Sequence, residues 1–231
     1  MNIKSLLTRA AVPALGLGLL SGAALGLAGP ASAATPSCGH DCVTPYVKTF
    51  GHRFVMDVKG GTAVQNAPII LWSASNSDPA EDFTPTNQGT VQDFRDAGLV
   101  SAAFNLHYHG LQAYELEYTP NGQGTGLCVG TWPGAPAAGF KLRLEPCGVG
   151  PWTVLAAGDP GIRGGQEYVT VLDAAGNNFS HPLAWSWPSI NSAPTDQPRP
   201  VLNVQNLWNF SRGQIPDTML WSAHAGVVGA H

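Results

Sequence analysis

The chain has 231 residues, with 28 glycines, 19 prolines and only 11% charged residues. Fifteen acidic against eleven basic residues leave a formal charge of −4 with no basic stripe, so neither nucleic acid nor an anionic membrane surface is an expected partner. Many turn formers and few charges suit an all-β protein, and no long stretch keeps apolar residues at helical spacing.

The N-terminus reads as a secretory signal peptide over residues 1–33. Lys4 and Arg9 form a basic start, an uncharged Ala/Gly/Leu run follows from Ala11 to Gly29, and Ala31-Ser32-Ala33 fits a small-x-small cleavage site. A retained membrane anchor is the competing reading. Cleavage leaves one domain, 34–231, with nine basic and fifteen acidic residues and an expected extracellular location. Export permits disulfides, and Cys38–Cys42 with Cys128–Cys147 is the favoured pairing because each closes a local loop. A zinc site of all four cysteines is the alternative.

Along the chain, short apolar stretches alternate with Gly, Asn, Asp and Pro. Strands are expected at 46–50, 54–58, 68–72 and around Phe83, then at 126–130, 140–147 and around Trp152. A third set is weaker: 168–172, 183–185, 201–205 and 220–221, with 201–204 open to another placement. Phe83, Trp152 and Trp221 are separated by two equal intervals of 69 residues, as if one unit were used three times and its rings met in one core. Extra sequence lies between the first two units. There 104–109 and 114–118 both alternate, and a hairpin of the two would set His107 opposite Glu117.

Three four-strand units resemble a β-trefoil, and the motifs resemble the ricin-type lectin family. In that family a unit reads Cys-x-Asp-Val, Leu-Trp-x-Cys and Gln-x-Trp. Here the first unit offers Met56-Asp57-Val58, Leu71-Trp72-Ser73 and Glu81-Asp82-Phe83, and the second Leu127-Cys128-Val129, Leu144-Glu145-Pro146-Cys147 and Gly150-Pro151-Trp152. The third offers Met219-Leu220-Trp221. The resemblance implies a carbohydrate partner, with Asp57 accepting from sugar hydroxyls and Trp72 stacking under the sugar. It also implies amides that are missing here: the family's Gln falls at Ile70 and its Asn-Gln pair at Ala80 and Glu81. In the second unit the Asp and ring positions fall at Gly130 and Glu145, so a sugar site is not expected there.

Each of these residues has a plainer explanation. Asp57 before Lys59-Gly60-Gly61 can simply shape a turn, and Trp72 can be core. Trp132, in a turn-rich stretch, is a possible stacking platform, while Trp185 and Trp187 read as packing residues. His107 and His109 could hold a metal with Glu115 or Glu117, though an exposed polar face accounts for them equally well. Asn178 and Asn209 match the glycosylation acceptor pattern. No nucleophile elbow, zinc-protease helix motif or phosphate loop is present. The expectation is a secreted sugar-binding protein, not an enzyme, with no cofactor or metal. The alternative is a trefoil interaction or inhibitor protein that has lost the sugar site.

Overall fold

A computed structural model describes residues 42–75, 78–134, 136–157, 168–176, 182–188, 201–207 and 215–225, all within the unit Ala33–His231. The expected signal peptide, Cys38 and both glycosylation motifs lie outside the described residues. The strands fall into three sets of four, as expected. The first is β1 (Val43–Val47), β2 (Phe54–Val58), β3 (Ile69–Ser73) and β4 (Phe83–Thr90). The second is β5 (Gln112–Tyr118), β6 (Leu127–Gly130), β7 (Arg143–Pro146) and β8 (Leu155–Ala157). The third is β9 (Val171–Asp173), β10 (Leu183–Ser186), β11 (Asn203–Asn206) and β12 (Trp221–Ala225).

Pairing of the first and last strands of each set closes a barrel. β12 pairs β1, β1 pairs β4, β4 pairs β5, β5 pairs β8 and β8 pairs β9. The ring is completed by Val169 and Trp221, which exchange backbone hydrogen bonds of 2.9 and 2.8 Å. The middle strands form hairpins, β2–β3, β6–β7 and β10–β11, that cap one end. The pseudo-threefold axis is visible in the hydrogen bonds. Ile69 N–H donates to the Leu142 carbonyl (3.1 Å), Leu142 to Leu202 (2.8 Å) and Leu202 back to Ile69 (2.8 Å). All three side chains are fully buried, so the cap is sealed by one branched aliphatic residue from each unit. This is the β-trefoil.

The barrel entry repeats as well. Each hairpin returns through a 3₁₀ turn, Pro79–Glu81, Pro151–Thr153 or Asp217–Met219, before the next barrel strand begins. Those turns align Phe83 with Leu155 and Trp221, all three buried in one core cluster. The equal spacing of Phe83, Trp152 and Trp221 is therefore misleading. Trp152 sits inside its turn and is only half-buried, and an aliphatic Leu fills the ring position of the second unit. The two Leu-Trp-Ser-Ala copies occupy different slots, one in β3 and one running into β12. Val201–Val204 leads into β11: Asn203 pairs Ser186, and the counterpart of Val55–Val58 is 184–187.

The segment between the first two units corrects the expected hairpin. Residues 102–108 form α2 (Ala102–Tyr108), preceded by α1 (Val91–Asp96). The local chemistry is helical: Thr90 and Asp93 make a reciprocal capping box, and Ser101 caps α2 by accepting from the Phe104 N–H. The alternation Phe104-Leu106-Tyr108 is coincidental. Phe104 and Tyr108 share a face four residues apart and are buried, whereas Leu106 is 77% exposed. This pair belongs to a second buried cluster outside the barrel that includes Leu172 and the small side chains of Ala113, Ala156 and Ala184.

Cys128 and Cys147 form a disulfide across 19 residues and tie β6 to the end of β7, which excludes a four-cysteine zinc site. Cys42 is also disulfide-bonded. Trp185 and Trp187 are almost completely buried; Trp187 meets Phe50 edge-on at 5.8 Å, and Trp185 meets Trp221 at 5.9 Å.

Candidate functional site

The β2–β3 register decides which side chains share a face. Met56 lies opposite Leu71 and Val58 opposite Ile69, on the buried side. Asp57 lies opposite Ile70 and Val55 opposite Trp72, on the other side. Asp57 and Trp72 are therefore diagonal neighbours on one face of the hairpin, at a separation that an indole can span. Trp72 is half-buried, and Asp57 is only 4% exposed.

Asp57 is buried because a 3₁₀ turn covers it. Asp78 caps the Pro79–Glu81 turn by accepting from the Ala80 N–H at 3.0 Å, and this turns Glu81 inward. Oxygens of Asp57, Asp78 and Glu81 lie within 4.8 Å of one another. Three carboxylates cannot all stay ionised at such spacing. The Glu81 carboxyl is pushed up to about 8, chiefly by burial. The Ser75 N–H, bonded to both Glu81 oxygens at 3.0 and 3.2 Å, opposes that rise, while Asp78, Asp57 and Asp82 add to it. The same surroundings push Tyr118 to about 12, again mainly through burial, and its hydroxyl donates to the Gly61 carbonyl at 3.1 Å.

A neutral carboxylic acid offers one O–H donor and one carbonyl acceptor. Glu81 thus carries at neutral pH the two functions of an amide, at the position where the sequence motif calls for Gln. The three oxygens are also donors that a hard cation takes, although a protonated Glu81 is a poor ligand. Asp78 was not legible as part of the site. Its signal was the Asp-Pro pair at the start of a turn, which is common in any loop.

Register also places the corresponding positions of the other units. In β6–β7 they are Gly130 and Glu145. A side chain at Gly130 would begin 2.1 Å from the Trp152 carbonyl oxygen, so no Asp fits there. Glu145 is fully buried and accepts from Gln65 Nε2 at 2.8 Å. In β10–β11 the positions are Ser186 and Gln205, and the Ser186 hydroxyl donates to the Trp187 carbonyl at 3.0 Å. Neither hairpin repeats the carboxylate and ring of the first.

The remaining candidates separate. Trp132 is 47% exposed, with the Arg143 guanidinium 4.7 Å from its ring centre and covering one face. His107 lies in the last turn of α2 and His109 at its end, so the expected pairing with Glu117 does not form. Glu117 stands opposite Thr84 and Cys128, and accepts from the Gly126 N–H at 2.7 Å. Glu115 is buried and accepts from Gly148 N–H, Thr153 Oγ1 and Asn87 Nδ2.

No family model and no curated protein sequence matches the chain. Solved structures do. A designed threefold-symmetric protein, ThreeFoil, superposes at a TM-score of 0.51 with 12% identity, over 79% of this chain and 97% of its own. A mosquitocidal holotoxin gives 0.49 with 10% identity, over 80% of this chain and 17% of the toxin. The β-trefoil lectin of the Vibrio vulnificus haemolysin/cytolysin, solved with N-acetyl-D-lactosamine bound, gives 0.44 with 10% identity, over 82% of this chain and 97% of the lectin. At these identities likeness speaks to architecture alone, and with the closed barrel and its three hairpins it makes this chain a β-trefoil.

Proposed function

We propose that this is an exported carbohydrate-binding protein with a single sugar site on the first hairpin. One observation carries the reading: of the three equivalent hairpins, only β2–β3 sets a carboxylate beside an indole on its outer face. A pyranose has a C–H-rich face that stacks on Trp72 and a rim of hydroxyls that a carboxylate accepts. Asp57 supplies that acceptor, and the uncharged Glu81 beside it replaces the absent amide. Export is supported by the N-terminal sequence and by the disulfides. With one shallow site the affinity is weak, on the order of millimolar for a single sugar ring.

The test is a glycan array and a polysaccharide pull-down with the secreted protein. Asp57→Ala and Trp72→Ala each lower binding at least ~10-fold and leave the fold intact. A second reading, an interaction protein that kept the trefoil frame without its sugar site, is favoured by the 4% exposure of Asp57. It predicts no glycan binding at millimolar concentration and no response to either substitution.

A further inference from the structure

The barrel interior is not filled. Two residues beyond the buried ring of Phe83, Leu155 and Trp221, the same inward positions hold Pro85, Ala157 and Ala223. A small barrel closes its interior with side chains, and with these three positions small, Leu116 and Val171 opposite Pro85 and Ala157 are left to line a space rather than fill it. Pro45, directly opposite Ala223, adds no bulk. The outcome is a cavity of about 320 Å³ that opens at the barrel end remote from the hairpin cap, with Gln88 and Gln112 at its rim.

We propose that this lumen binds a small neutral molecule of one or two fused apolar rings bearing a single hydroxyl or carbonyl. Size is the first argument, since the volume lies at the lower end of the range for small-molecule pockets, about 300–1,000 Å³. Charge is the second, because none of the lining residues is ionised at neutral pH. Rigidity is the third. Trp185 and Trp221 meet at 82°, and the Trp221 Nε1–H donates to the Trp185 carbonyl at 3.0 Å, so the aromatic wall stands before any ligand enters. The polar contact is Tyr114, which lines the cavity; burial raises its hydroxyl to about 12, so it stays a neutral donor. This site is separate from the sugar site and does not depend on it.

The probes are 2-naphthol and naphthalene, titrated into the mature protein and followed by methyl NMR and thermal unfolding. We expect 2-naphthol to saturate, with nuclear Overhauser contacts to the Val169 and Val171 methyls in the wild-type protein. Ala223 is open to solvent at the mouth, so Ala223→Phe enters free space and leaves the circular dichroism unchanged while weakening both probes at least ~10-fold. Tyr114→Phe weakens 2-naphthol about 5-fold and naphthalene less than about 2-fold. Absence of a saturable response, contacts to methyls elsewhere, or full binding by a folded Ala223→Phe overturns the proposal.

Discussion

Glu81 shows how burial changes what a side chain visible in a sequence can do. In the sequence it is an acid where the motif has Gln, while the amides missing at Ile70 and Ala80 are what favour a lost sugar site. Burial under Asp78 and beside Asp57 pushes its carboxyl up to about 8. The consequence for stability is measurable. Folded Glu81 holds its proton more tightly than the unfolded chain does, so its contribution is complete below about 4.5 and is lost as pH rises toward about 8. Asp173, raised to about 7 by burial in the barrel, acts in the same direction from 3.8 upward. Melting temperature therefore falls between about pH 4 and 8. Glu81→Gln flattens the upper part of that fall and Asp173→Asn the lower part, as differential scanning calorimetry across pH will read.

Elements were legible where local chemistry and pattern agree. β2, bounded by Arg53 and the Lys59-Gly60-Gly61 turn, is found at its expected bounds, and β3 is displaced by one residue. α2 was not legible, because a seven-residue helix with Phe, Leu and Tyr at alternate positions has the pattern of a strand. What decides is tertiary: Phe104 and Tyr108 join a buried cluster with Ala113, Ala156, Leu172 and Ala184, which come from strands of the second and third units. Phe104→Ala is expected to speed amide exchange through α1 and α2 while the barrel strands stay protected and glycan binding is unchanged. The disulfide is a second local element with a separable effect. Replacing Cys128 and Cys147 by Ser costs about 3 kcal/mol, for the freedom regained by a loop of 19 residues in the unfolded chain, and a urea titration will show it.

Three-fold order governs the whole molecule, yet its seal is not where the aromatic spacing pointed. The chain repeats its backbone hydrogen bonds at Ile69, Leu142 and Leu202 more faithfully than its rings, and in sequence these are three ordinary aliphatic residues among many. Leu142→Ala, at that junction, is expected to destabilise by about 2–5 kcal/mol, more than truncation of half-buried Trp152, which the spacing alone would have ranked higher. The units have diverged around this frame: one keeps a carboxylate and a ring, one has closed the same place with the Trp152 backbone, and one has a serine turned to its own main chain. The proposed sugar site accordingly lies on one hairpin alone among the three.

The decisive measurement is a backbone amide NMR titration of the protein with the sugar selected by the array. Amides of Asp57 to Gly61, Trp72 and Ala80 to Glu81 are expected to move together and saturate, and Asp57→Ala to abolish the movement. Saturable shifts centred instead on Trp132 and the second hairpin, or none near β2–β3, would contradict it.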